Sequence, residues 1–306
     1  MKILIIGGTG TLGKALVKKY TYEDVFVMSR DEAKQWQMKL ESPHVKFVIG
    51  DMRDAERTRA ILKRVDPELI IIAAAMKHVD LCEVNTHECI MTNIFGVKNV
   101  LDAVEDHNGN VKTVCFISTD KACDPGNAYG MCKGLAEIMV TEKSFHVPDV
   151  KFVTVRFGNI LGSRGSIIPT LQFIGNSTSK LNFNLTHPNM NRYIMTCDQS
   201  MDLVEHAITH GKSGDVVIPE LTSMNIKDLI EIYSERYNKP IVESGLRPGE
   251  KIHEVLINDA QLLRAEKVGT YTHIRRAPVP DPLKECPNKI LSKLELKLLL
   301  ASMNIL

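Results

Sequence analysis

Thr119, Asp120 and Lys121 close the run TVCFISTDK, and eight residues beyond Lys121 begins Tyr129-Gly-Met-Cys-Lys133. On a helix Tyr129 and Lys133 stand at i and i+4 and share one face. An ammonium near a phenol favours the phenolate and lowers the tyrosine pKa, giving a general base suited to taking a proton from a hydroxyl while a hydride leaves the same carbon. Thr119, Asp120, Lys121, Tyr129 and Lys133 are therefore the candidate catalytic residues, although Asp120 is also well suited to cap the turn that follows it.

A departing hydride needs an acceptor, and the N-terminus offers a place for one. GGTGTLG sets Gly7, Gly10 and Gly13 in GxxGxxG spacing after an apolar run and at the mouth of a helical one. Glycines there permit a tight turn and close approach of backbone to a pyrophosphate. The helix start, at Thr11 and Leu12, contributes unpaired N–H groups and a positive dipole end. The next apolar run ends VFVMSRDE, where an NAD-binding protein presents an acidic residue to the adenosine ribose. Here Ser29 and Arg30 come first. A hydroxyl and a guanidinium suit a 2′-phosphate, so NADP is expected ahead of NAD, with Asp31 taking the acidic role if the strand runs one residue longer. GDMRD brings Asp51 and Met52 to the adenine as a carboxylate and an apolar wall. In AAAMKHV, Ala73 and Ala74 let backbone lie close to the cofactor, and Lys77 reaches toward a phosphate or the substrate.

The elements that must position these residues follow from hydrophobic pattern. KILIIGG, VFVMSR, KFVIGD, LIIIAAA, TVCFIST and KFVTVRFG read as strands, with amphipathic stretches at 14–20, 56–65, 88–104 and 129–144 between them. Strands apolar on both faces and alternating with helices imply an α/β fold: a Rossmann-type, doubly wound parallel sheet with ligands at its carboxyl edge. Residues 1–158 form the expected nucleotide-binding domain, with a return excursion at about 195–219. Residues 159–194 and 220–306 form a smaller, mixed substrate-binding lobe. In 306 residues with 38 basic and 37 acidic side chains, the net charge of +1 gives no footprint for nucleic acid. No apolar run reaches the roughly 18 residues of a membrane span, so a cytoplasmic protein is expected. The seven cysteines form no CxxC pair, which argues against a disulfide framework or a zinc site, and no cluster suggests another metal.

Taken together, GGTGTLGK, SRDE, GDMRD, AAAMKHVDLCEVNTHECIMTNIFGVKNV, STDKACDPGNAYGMCK, RFGNILGSRGSIIP, MNRYIMTCDQSMDLV and RPGEKIHEVLI resemble the extended short-chain dehydrogenases/reductases. Within them, the chain resembles the inverting UDP-N-acetylglucosamine 4,6-dehydratases of the polysaccharide biosynthesis protein family. The resemblance covers nearly the whole chain, and KHV, STDK, GSRGS and RPGEK are its specific segments.

It implies that Tyr129 takes the proton from the hydroxyl at sugar carbon 4 while NADP accepts the hydride. Lys121 then removes the carbon 5 proton and Asp120 helps water leave from carbon 6. It also adds Asn93 to the cofactor contacts, beside Tyr129 and Lys133, and assigns Asn159, Arg164, Arg192, Arg247 and Glu250, with Lys77, to the UDP-sugar. A homo-oligomer is expected by the same analogy. Two rival readings stand beside it: a UDP-sugar 4-epimerase, which needs no acid–base pair for dehydration, and a non-catalytic NADP-binding sensor.

Overall fold

The computed structural model describes residues 1–179, 181–286 and 288–306. Each of the six apolar runs becomes a strand: β1 (Lys2–Ile6), β2 (Asp24–Ser29), β3 (Lys46–Ile49), β4 (Leu69–Ile72), β5 (Thr113–Ile117) and β6 (Lys151–Val155). They pair in parallel in the order 3-2-1-4-5-6. All four residues of β4, LIII, are buried, because helices cover both faces of the sheet and leave no solvated side for alternation to mark. Connections run in opposite directions from β1 and β4, and the crevice at their carboxyl ends is where open α/β sheets hold ligands.

Beyond β6 the sheet takes Val216–Pro219 in parallel, then the hairpin strands Tyr271–Ile274 and Ala265–Val268 in antiparallel pairing, nine strands among the described residues. The sheet thus recruits residues from 220–306, beyond the excursion expected at about 195–219. AEKV and YTHI are short and of mixed polarity, and nothing local distinguishes an edge strand from a lobe strand.

The remaining segments build the lobe. One sheet runs in the order Asn288–Ile290, Leu221–Asn225, Asn191–Met195, Asn159–Ile160, and a second pairs Ile241–Glu243 with Phe183–Leu185. Its own apolar core includes Ile168, Phe183, Leu229, Tyr233 and Leu296, separate from the two clusters that sandwich the large sheet.

The helix expected over 88–104 is not one regular helix. Thr86–Ile90 passes through a π-helical turn, Met91–Phe95, into Gly96–Glu105. Gly96 sits against Met52, where a Cβ would lie 2.7 Å from Met52 Cγ, so glycine sets how closely this helix approaches the end of β3.

Candidate active site

The phosphate loop is built by close approach. Gly7 has φ +86°, and a Cβ there would fall 2.6 Å from the Ala74 backbone; one on Gly13 would fall 2.4 Å from Gly8. The helix α1 (Thr11–Lys19) begins at Gly10 with no side-chain cap and no acidic residue in its first turn. Its first N–H groups and positive dipole end therefore remain free to meet an anion, and this cradle fits a dinucleotide pyrophosphate. Leu12 is buried beneath the loop, and Ala73 and Ala74 line the opposite wall from the end of β4.

At the end of β2, Ser29 Oγ accepts from the Gln35 amide at 3.0 Å. Arg30 is exposed, with Nη1 3.5 Å from Asp51 Oδ2. Asp51 also receives Arg53 Nε at 2.9 Å and Nη2 at 2.7 Å. Burial alone would raise the Asp51 carboxyl, and Arg53 overcomes it, holding the group below its ordinary value. Met52 is buried. Asn93, on the π-helical turn, accepts from Met76 N at 2.9 Å and donates to Met76 O at 2.8 Å. It thereby fixes the backbone of the segment that carries Lys77, a use of a π-turn often met at functional sites.

A strap from the lobe crosses this loop. Arg164 N donates to Thr11 Oγ1 at 3.1 Å, and Lys77 Nζ donates to the Arg164 carbonyl at 2.7 Å. Gly165, at φ +72°, lies against His78, where a Cβ would be 2.7 Å from the imidazole. Burial and then the Arg164 charge lower the Lys77 pKa.

The candidate catalytic residues converge at the end of β5. Asp120 and Lys121 lie in a 3-10 turn, Asp120–Ala122, capped by Thr119. The Ala128–His146 helix packs directly on that turn. Cβ atoms on Gly130 and Gly134 would be 2.3 Å from the Lys121 carbonyl oxygen and 2.9 Å from that of Ala122, so the two glycines of YGMCKG bring helix and turn together. Thr119 Oγ1 donates to Asp120 Oδ1 at 2.9 Å, and Thr119 lies close enough to the Tyr129 phenol to influence its titration. Lys121 Nζ lies 2.9 Å from Asp120 Oδ1 and 3.5 Å from Glu254 Oε1. Both carboxylates are buried, and Asp120 Oδ2 and Glu254 Oε2 have no hydrogen-bond partner among the described residues.

Glu254 is absent from the sequence-based set. It lies 133 residues beyond Lys121 in an irregular segment, and only the fold brings the two together. Arg192 helps hold it there: its guanidinium donates to the carbonyls of Asn191, Lys251 and Ile252 at 2.8, 2.8 and 3.0 Å. On the other side Arg156, 1% exposed, bonds the Leu256 carbonyl, the Gln261 amide and Glu137.

Electrostatics reverse one expectation. Burial drives the Tyr129 phenol well above its ordinary value; the Thr119 bond opposes this and the Asp120 charge adds to it. Burial also brings Lys133 down to about 7 against the raising influence of Glu137. Lys133 Nζ donates to the Ile117 carbonyl at 2.5 Å and sits 3.8 Å over the Phe116 ring. The lowering of the phenol expected from the Tyr129–Lys133 spacing is thus outweighed by desolvation.

Arg247 and Glu250 pair at 2.7 Å. Burial would raise the Glu250 carboxyl, and Arg247 holds it below its ordinary value instead. Asn127 caps the Ala128–His146 helix and donates to the Gly249 carbonyl at 2.9 Å, which joins this segment to the tyrosine helix. Asn159, half-buried, opens the short strand beside Ile194. Cys132 is buried with its thiol pushed up to about 12, which suits packing rather than attack. Among the described residues no His, Cys, Asp and Glu group forms a metal site.

Residues 3–276 match the family described as polysaccharide biosynthesis protein. The UDP-N-acetylglucosamine 4,6-dehydratase (inverting) of Campylobacter jejuni is 37% identical over 269 residues, 84% of this chain and 77% of that protein. A UDP-glucose 4-epimerase of Rickettsia bellii is 36% identical over 285 residues, 89% of this chain and 82% of that one. Among solved structures, Pen from Bacillus thuringiensis superposes with a TM-score of 0.89 at 32% identity, covering 99% of this chain and 98% of that one. With its 3-2-1-4-5-6 sheet, glycine loop and tyrosine helix, the chain belongs to the polysaccharide biosynthesis protein family of extended short-chain dehydrogenases/reductases.

Proposed function

We propose that the chain catalyses NADP-dependent 4,6-dehydration of a UDP-sugar, UDP-N-acetylglucosamine, with inversion at carbon 5. The observation that carries this reading is the buried Asp120–Lys121 pair, linked through Thr119 to Tyr129. A nicotinamide cofactor, when bound, takes the hydride from carbon 4 and later supplies it to carbon 6. The uncapped start of α1 and the Gly7 cradle support its fit, and Arg30 with Ser29 supports the 2′-phosphate of NADP.

Tyr129 takes the proton of the 4-hydroxyl as phenolate, a form that burial opposes and that the positive charge of an oxidised nicotinamide, when bound, would favour. The 4-ketone acidifies the carbon 5 proton, Lys121 removes it, and Asp120 protonates the hydroxyl leaving carbon 6. Arg164, Arg247, Glu250, Asn159 and Lys77 hold the UDP-sugar, with Arg192 acting through the 251–252 backbone. Elimination needs a base and an acid beyond the tyrosine, whereas 4-epimerisation uses Tyr129, Lys133 and the cofactor alone. The similarity to a 4-epimerase is the reason to keep that second reading.

The test is incubation with UDP-N-acetylglucosamine in deuterated water, followed by NMR. A 6-deoxy-4-keto product with deuterium at an inverted carbon 5 is expected. A 4-epimer without dehydration would overturn the reading in favour of epimerisation, and no conversion would overturn both.

Assembly and location belong to the same proposal. Met131, Leu135, Ile138 and Phe145 leave an apolar row exposed on the tyrosine helix, which supports a homo-oligomer, and light scattering above the monomer mass is expected. No described helix is long and apolar enough to cross a membrane, and a cytoplasmic location is proposed.

A further inference from the structure

The 123–127 loop joins the 3-10 turn at Asp120–Ala122 to the Ala128–His146 helix, so its shape sets where Lys121 stands relative to Tyr129. Asp124, Pro125 and Gly126 are exposed, and Asp124 lies in the left-handed region at φ +44°. A residue other than glycine stays there only where its surroundings hold it. Those surroundings come from the lobe. Cys123 Sγ donates to Gln261 Oε1 at 3.5 Å, and Asn258 Nδ2 lies 3.5 Å from Asp124 Oδ1. Lys251 Nζ donates to the Asp124 carbonyl at 2.6 Å, and its stem covers Gly126, where a Cβ would lie 3.2 Å from Lys251 Cδ. The Gly249 carbonyl accepts from Asn127 Nδ2 at 2.9 Å. One stretch of the lobe, 249–261, thus grips residues 123, 124, 126 and 127.

Of these contacts, the one from Lys251 reaches the backbone of the left-handed residue with a full positive charge, which makes it the strong member of the set. Lys251 is itself fixed from behind, because its carbonyl accepts from Arg192 Nη2 at 2.8 Å. It directly follows Glu250, which pairs with Arg247 at 2.7 Å. Gly249, at φ +75°, has no room for a side chain: a Cβ would lie 2.9 Å from Asn127 Cβ and 3.1 Å from Glu83 Cδ. Glu83 Oε1 in turn accepts from Ala128 N at 2.7 Å, at the start of the tyrosine helix. The segment that carries Arg247 and Glu250 is therefore packed against the loop with no slack between them.

We propose that Lys251 is a positioning residue, which carries occupancy of the nucleotide end of the site to the loop that sets Lys121 against Tyr129. This rests on the UDP-sugar reading, in which Arg247 and Glu250 hold the nucleotide, and adds a residue that acts through the loop rather than on the sugar. Binding energy from the part of the substrate that does not react is spent on orienting the groups that do. UDP alone is enough to tighten the loop.

The test uses the full chain with UDP as the probe, and calorimetry first measures its binding. Amide hydrogen exchange in peptides spanning 121–128 is expected to slow about fivefold or more when wild type binds UDP. Lys251→Met keeps a stem over Gly126 and removes the donor. It should bind UDP within about threefold of wild type and show no such slowing. With UDP-N-acetylglucosamine as substrate, its kcat should fall on the order of 10-fold to 10²-fold while KM stays within about threefold. Lys251→Arg keeps a cationic donor and should recover most of the lost rate. A residue that serves only the fold would lower the melting temperature without uncoupling loop exchange from UDP. Three results overturn the proposal and leave the UDP-sugar reading intact: UDP that binds wild type without slowing loop exchange, wild-type slowing in Lys251→Met, or a Lys251→Met kcat within about twofold of wild type. A wild type that binds no UDP overturns both. If Lys251→Met does not fold, Lys251→Gln takes its place under the same outcomes.

Discussion

Lys121 Nζ lies 2.9 Å from Asp120 Oδ1, in a turn whose position is set by the glycine face of the neighbouring helix. Adjacent in sequence, the two side chains meet within one 3-10 turn, and the proposed dehydration uses them as acid and base. Lys121→Ala is expected to lower dehydration by about 10²–10⁴-fold, the usual worth of a positioned proton-transfer group. Cofactor affinity, measured by fluorescence titration, should stay within a few fold. Loss of cofactor together with activity would show that Lys121 holds the dinucleotide instead.

Lys133 provides a pH test. Its folded pKa of about 7 lies below the ordinary 10.5, and burial is the main cause. Between those values the unfolded chain binds more protons than the folded one, so this group's contribution makes stability rise with pH through that window. Below pH 7 the penalty for burying the ammonium is fully present. Lys133→Met should therefore melt above wild type at pH 6, with the gap closing as pH approaches 10, while turnover is lost. Thermal melts across pH check both signs.

Gly130 has no room for a methyl group, since a Cβ would stand 2.3 Å from the Lys121 carbonyl oxygen. Gly130→Ala must push the tyrosine helix off the turn. The expected cost is about 1–3 kcal/mol in urea unfolding, typical of overpacking, with kcat falling more than tenfold as Tyr129 moves relative to Asp120. Wild-type kcat in the alanine variant would show that the contact does not set the geometry.

Arg156 and Glu137 form a buried ion pair behind the site. Arg156→Leu strands the carboxylate and frees the 256 and 261 contacts, and a loss of about 3–5 kcal/mol is expected. Chemical denaturation measures it. A double variant, Arg156→Leu with Glu137→Leu, should recover part of the loss.

Arg30 is the exposed cation at the end of β2. Arg30→Ala should weaken NADP about tenfold to a hundredfold, the worth of a charge-assisted hydrogen bond, and leave NAD nearly unchanged. Equal weakening of both by calorimetry would remove the 2′-phosphate from its role.

The sequence by itself determined the parts whose signal is local. Apolar runs flanked by helical stretches specify buried parallel strands. GGTGTLG specifies a turn that only glycines permit, and Tyr129 with Lys133 shares a helix face through i,i+4 spacing. These depend on neighbours a few residues apart.

Tertiary structure decided what depends on distance and on solvent. Glu254 joins Lys121 across 133 residues because Arg192 and Arg156 fasten its segment, and no periodicity announces such a meeting. The hairpin at 265–274 entered the large sheet for a similar reason, since edge pairing is chosen by the partner strand and not by the hairpin's own pattern. The charge state of the tyrosine–lysine pair was also beyond reach of spacing alone. Burial weakens the ammonium and raises the phenol together, and desolvation is a property of everything packed around a side chain.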